Sequence, residues 1–262
     1  MITTTLKTPA YEELYKPQID KATALWNIAL PNSDDITIDF SFEKLASNVL
    51  GQATPDTFSM NLSSSPFLAI YAIPETGHMT FNSDSYTLDT SNSYYSTFFP
   101  VVYHEMAHVL GFGTLWNIDL TLFSDFYTYL VLNYPQYAAL EYANKVLDTT
   151  DRTKFIGRNA LAMWRSGIPG HEEDTFVPIE NEGGEGSIYS HWDQSNIDYS
   201  DYRNRDFKFE LMTAGLELQG STNEIVDVFL SLLTIASLED IGYSGNRWKA
   251  SNRFNMIMKG AI

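Results

Sequence analysis

The spacing of apolar residues changes several times along this chain, and each change predicts an element. Ile19, Ala22, Leu25, Trp26 and Ile28 recur at helical intervals after Pro17. They read as the buried face of an amphipathic helix with Pro17 in its first turn, ended by Pro31-Asn32-Ser33. Ile36, Ile38, Phe40 and Phe42 alternate with polar residues, and a period of two predicts a half-buried strand. Residues 43–64 are polar and read as turns. The apolar run from Phe67 to Ile73 predicts an inner strand, and Gly77–Asn82, with Met79 and Phe81 on one face, a second short one.

Val101, Val102, Met106, Val109 and Leu110 give a further helix its buried face. Ser96 or Thr97 is its expected cap, Pro100 falls in its first turn, and Gly111 stops it. Leu120–Leu132, Tyr137–Leu147 and Phe155–Trp164 read as helices, and Gly167–Gly186 as loop. The last helix is expected over Asn223–Ile241, capped by Ser221 or Thr222 and closed by Gly242. Short strands between a leading helix and a run of later helices, without regular βαβ alternation, lead to the expectation of an α+β fold. No internal repeat or linker interrupts the 262 residues, so one domain is expected.

Composition narrows the function. Lys and Arg number 16 against 33 Asp and Glu, a net charge of −17. Such a surface repels nucleic acid and anionic membranes, and neither is expected as a partner. With no cysteine, a disulfide framework and a thiol nucleophile are both excluded. No stretch approaches the 18 or so apolar residues of a membrane span. The first 30 residues hold no apolar leader segment. The acidic run Asp193–Asp206 suggests Ca²⁺ by charge alone. Its spacing fits no calcium loop, so a solvated segment is the expectation.

The chemistry concentrates in His104-Glu105-Met106-Ala107-His108. Residues four apart on a helix share a face, so two imidazoles can converge on one point. Zn²⁺ takes imidazole nitrogen at about 2.0–2.1 Å and keeps three protein ligands at a catalytic site. Glu105 falls on the adjoining face, where a carboxylate can accept a proton from an attacking water. Gly111 can turn the chain back after the helix. A third His three residues after that Gly would complete the compact form of the motif, but Thr114 stands there. The remaining candidates are His78, His171 and His191, with Glu141 as a carboxylate alternative. His191 follows a Gly-rich approach, Gly183-Gly184-Glu185-Gly186, and Glu210-Leu211-Met212-Thr213 further on reads as a turn able to set Met212 beneath a metal.

Taken together, these segments resemble the leishmanolysin-like zinc metallopeptidases, a branch of the metzincins, and above all their short bacterial members. The resemblance rests on His104–Gly111, Gly113-Thr114-Leu115-Trp116, Val177-Pro178-Ile179-Glu180-Asn181, Ser190-His191-Trp192, Glu210–Thr213 and Leu238–Tyr243. It spans about Ile36 to Tyr243 and includes the family's long insertion between the Gly and the third His. It implies one catalytic Zn²⁺ on His104, His108 and His191, Glu105 as general base, and Gly111 and Met212 supporting the site. It implies an N-terminal lobe of about 1–111 with a twisted mixed sheet and the active-site helix, an insertion of about 112–190, and a mainly helical, irregular C-terminal lobe of about 191–262 with a Met-turn. It further implies a protein or peptide substrate pairing along a sheet edge formed by Gly77–Asn82. The compartment stays open, with an extracellular, surface or virion setting expected over the cytoplasm. The chain departs from the family's best-known member in lacking Cys, and Ala214 stands where some metzincins carry a switching tyrosine. The rival expectation is an assembly or surface component that keeps the fold and uses zinc as a brace. Bracing needs the histidines but not Glu105.

Overall fold

The computed structural model describes residues 1–31, 33–63, 69–116, 132–133, 146–184, 186–195, 197, 209–214, 218–219, 224–225 and 228–245. The fold is α+β, with a mixed four-stranded sheet and helices. Strand β1 (Ile2–Leu6) leads through helix α1 (Glu12–Ala29) into β2 (Ile36–Glu43), and β1 and β2 pair in parallel. Strands β3 (Gly51–Ser63) and β4 (Ala69–Asn82) pair antiparallel, β4 lies parallel to β2, and the sheet order is β1-β2-β4-β3. Helix α2 (Phe98–Val109) carries the H-E-x-x-H motif and packs against α1, β3 and β4.

The alternation in β2 does what its period requires. Ile36, Ile38, Phe40 and Phe42 are buried and face α1, whose Tyr15, Ile19, Ala22, Trp26 and Ala29 form a seam at four- and three-residue intervals. Trp26 Nε1 donates to the Tyr103 carbonyl at 3.0 Å, fixing α1 to the motif helix. The helix begins earlier than expected. Pro9 opens a 3-10 turn, Glu12 and Glu13 occupy the first α-turn, where the helix dipole favours acid, and Pro17 lies inside the helix.

Several expectations about the sheet need correction. The short β1 was not foreseen. The turn-rich stretch contains the 13-residue β3, and the two strands expected over Phe67–Ile73 and Gly77–Asn82 are one strand, β4. Pro74 stands between the two expected stretches. It lies where β4 has only β3 beside it, because pairing with β2 starts at Thr76, so its missing N–H costs no second ladder. Pro55 sits similarly on β3, next to a register shift. Gly77–Asn82 is therefore not a sheet edge: β4 pairs on both sides there, and among the described residues β3 and β1 are the outer strands.

Beyond α2 the chain forms a two-stranded pair, β5 (Lys154–Phe155) with β6 (Val177–Pro178), and helix α3 (Arg158–Gly167). A second pair joins β7 (Leu218–Gln219) to β8 (Glu224–Ile225), and α4 (Leu232–Asp240) ends the described fold. Phe155, expected in a helix, is in β5, and α3 starts three residues later. Its open N-terminus is capped from α4: Asp240 accepts from the backbone N–H groups of Asn159 and Ala160 at 2.8 and 2.9 Å. The last helix is shorter than expected, since Glu224–Ile225 is strand and the cap is Ser231, whose Oγ accepts from Thr234 N at 3.1 Å. The helices expected over Leu120–Leu132 and Tyr137–Leu147 lie almost entirely outside the described residues. Among the described residues, no helix is long and apolar enough to cross a membrane.

Candidate metal centre

Helix α2 places His104 and His108 one turn apart, and α2 ends two residues before Gly111. Gly111 has φ +104°, a conformation that side-chain-bearing residues avoid, and a Cβ there would meet Leu115 at 2.9 Å and Ile241 at 3.0 Å. The reversal lets Phe112 N bond the Ala107 carbonyl and turns the Phe112 carbonyl back onto His108. The third ring arrives from far along the chain. Glu180 N donates to the His191 carbonyl and Tyr189 N to the Glu180 carbonyl, both at 2.9 Å, so a short ladder holds the segment carrying His191.

His104, His108 and His191 form the single group of potential metal ligands among the described residues. Their Nε2 atoms make a nearly equilateral triangle with sides of 3.1, 3.1 and 3.0 Å. The other nitrogen of each ring is committed. His104 Nδ1 bonds the Leu211 carbonyl at 2.6 Å, His108 Nδ1 the Phe112 carbonyl at 2.9 Å, and His191 Nδ1 the Ser187 carbonyl at 3.0 Å. A carbonyl only accepts, so each Nδ1 carries the proton. In a neutral ring that leaves Nε2 as a bare lone pair.

Burial keeps the rings neutral. It pulls His104 below the ordinary imidazole range against the opposing bond to Leu211. His108 is lowered to about 3, by burial first and the neighbouring His104 second. His191 falls well below its ordinary value for the same reasons. Three buried lone pairs thus converge within about 3 Å, a repulsive arrangement that a shared cation relieves. Tetrahedral zinc with Zn–N near 2.0–2.1 Å needs N···N separations of about 3.3 Å, so the residues fit such an ion closely. The carbonyl behind each imidazole is the outer partner that metal-bound histidines ordinarily have.

Glu105 is buried beside this cluster in sequence but is not one of its members. Burial alone raises its carboxyl to about 8. It lies against the first residue of the edge strand: a Cβ on Gly51 would come within 3.1 Å of both Cγ and Oε1 of Glu105. A side chain there would crowd that carboxyl by a few tenths of an ångström.

Met212 is fully buried in the turn that follows Glu210. The turn touches both His-bearing segments. The Leu211 carbonyl receives His104, and the Met212 carbonyl receives Trp192 N at 3.0 Å, next to His191.

The other sequence candidates fall elsewhere. His78 Nδ1 pairs with Asp56 across the β3–β4 ladder at 2.7 Å, with both side chains nearly half exposed. His171 is held by Asp174 at 2.8 Å and packs on Trp164. Glu141 and most of the acidic run after Asp193 lie outside the described residues. Sequence reading missed the polar contacts behind the site, namely Glu210, Ser231 and Thr234 around the turn and Trp192 beside His191. A Ser three residues before a Thr at the start of an apolar run hints at a cap, but nothing in the sequence pairs it with Glu210.

No family model matches this chain, and no curated protein matches it.

Proposed function

We propose that the chain is a zinc-dependent endopeptidase of the leishmanolysin-like metzincin type, with His104, His108 and His191 as ligands. The observation that carries the metal is the convergence of three neutral Nε2 lone pairs at 3.0–3.1 Å, each ring oriented by a carbonyl on Nδ1. The observation that favours chemistry over bracing is Glu105, a buried carboxyl next to His104 in the chain, raised by burial to about 8. A structural site has no use for such a group.

When bound, zinc supplies Lewis acidity that makes water a better nucleophile and polarises a peptide carbonyl. Glu105 accepts the proton of the attacking water and returns it to the departing amine. A raised value makes its carboxylate a competent base, while a nearby dication favours the ionised form needed for the first transfer. The carbonyls of Leu211, Phe112 and Ser187 keep the rings in the binding tautomer. Substrate pairs as an extended strand along β3, the edge that begins at Gly51 beside Glu105. No acyl-enzyme forms.

In this reading residues of about 1–111 make the N-terminal lobe, 112–190 the family's insertion and 191–262 the C-terminal lobe. Partners are protein or peptide substrates, and the setting is extracellular or surface-associated. Elemental analysis together with cleavage of an unfolded protein, before and after chelation, tests the proposal. One zinc per chain and activity lost on chelation and restored by zinc are expected. Activity indifferent to chelation contradicts it.

A further inference from the structure

Glu210 is a buried carboxyl with no cation within ion-pair distance among the described residues. Removing a carboxylate from water costs several kcal/mol unless its oxygens are well bonded, and here four donors surround it. Oε2 accepts from Met212 N at 2.5 Å. Oε1 accepts from Ser231 N at 3.1 Å, Ser231 Oγ at 2.7 Å and Thr234 Oγ1 at 2.6 Å.

Both hydroxyls bond Glu210 while accepting from elsewhere. Ser231 Oγ already accepts from Thr234 N, and Thr234 Oγ1 already accepts from Trp192 Nε1 at 2.9 Å. Each hydroxyl therefore turns its own proton onto Glu210. The carboxylate gathers three elements at one point: the 210–213 turn, the N-cap of α4, and, through Thr234, the indole next to His191.

The consequence reaches the metal centre through backbone. The turn that Glu210 closes carries the Leu211 carbonyl that orients His104, and the Met212 carbonyl that bonds Trp192 N. We infer that Glu210 is a positioning residue of the metal site, holding the turn so that His104 on α2 and His191 on its distant segment stay in register. This rests on the reading that the three histidines hold a metal. Among the described residues its hydrogen bonds go to Met212, Ser231 and Thr234, not to the rings.

Glu210→Gln keeps size but sets an NH₂ against the Met212 N–H or the Ser231 N–H, neither of which can accept. The test is zinc affinity by competition with a chromophoric chelator, with the electronic spectrum of the cobalt-substituted protein, at a temperature where circular dichroism shows the variant folded. Partners behind a metal ligand are typically worth 10- to 100-fold in affinity, so zinc binding about tenfold weaker and an altered cobalt spectrum are expected. Wild-type affinity with an unchanged spectrum, and only a lower melting temperature, would overturn the inference and reduce Glu210 to fold stability. Should Glu210→Gln fail to fold, Thr234→Val decides. It removes one donor and the link to Trp192, and is expected to weaken zinc roughly two- to tenfold; unchanged affinity there is equally adverse. Wild-type chain that binds no zinc would sink the metal reading itself, an outcome distinct from either.

Discussion

His104 and Leu211 are 107 residues apart, yet His104 Nδ1 donates to the Leu211 carbonyl at 2.6 Å. That bond couples the motif helix to the distant turn and fixes which nitrogen of the ring is free. The same arrangement recurs at Phe112 behind His108 and at Ser187 behind His191. Three carbonyls from three segments thus prepare three lone pairs.

Replacing His191 by Ala leaves two ligands on one helix. Zinc retention measured by elemental analysis after dialysis should drop far below one per chain. Retention equal to wild type would move the third ligand elsewhere.

Acid should release the metal, and the sign follows from the direction of the shifts. The folded values of the three imidazoles lie below the ordinary value near 6.5, to about 3 for His108. The folded chain therefore holds fewer protons than the unfolded one in that interval. The stability this confers is full above about 6.5 and is lost as pH falls toward the folded values. Zinc competes with the same protons, so its dissociation should begin below the ordinary imidazole value near 6.5 and toward the lowered folded values, read with a zinc-sensitive dye during an acid titration. Release that begins on the alkaline side instead would contradict neutral, buried rings.

Met212→Leu conserves volume and should cost under about 1.5 kcal/mol in denaturant unfolding. Met212→Ser leaves a gap in a fully buried turn that carries one bond to the His104 ring and another to the residue after His191. Melting temperature and zinc affinity should fall together in the Ser variant. Wild-type zinc affinity there would show that Met212 is not part of the site's support.

Gly51→Ala inserts a methyl 3.1 Å from Glu105 Cγ and Oε1. The carboxyl must shift, with little effect on the histidines. Turnover should fall about tenfold, since small displacements of a reacting group are costly, while zinc content stays at the wild-type level. Full activity in this variant would separate the edge strand from the general base.

Much of the N-terminal half was legible. The two-residue period of Ile36–Phe42 and the helical stripe of α1 are local patterns, and they predict the faces that pack together. The H-E-x-x-H pair is likewise local, because four residues of helix determine it. What escaped was set by tertiary context. Phe67–Ile73 and Gly77–Asn82 read as two strands, yet β4 runs on through Pro74 because one ladder ends beside it, which sequence does not reveal. Residues of β3 read as turns because an edge strand tolerates polar residues and Pro55. The start of α4 was placed too early because Ser221, Thr222 and Ser231 are equivalent as isolated caps, and contact with Glu210 distinguishes Ser231. His191 stood out only through its neighbours in the chain, whereas the structure brings its Nε2 within 3.1 Å of both others.

The most direct measurement is the activity of zinc-loaded Glu105→Gln on an unfolded protein substrate. The variant removes the base and leaves all three imidazoles, so zinc content and melting temperature should match wild type closely. Cleavage should fall by roughly 10²–10⁴-fold, the usual worth of a positioned general base. Cleavage at the wild-type rate with zinc in place would contradict the account and leave the three-histidine site as a brace.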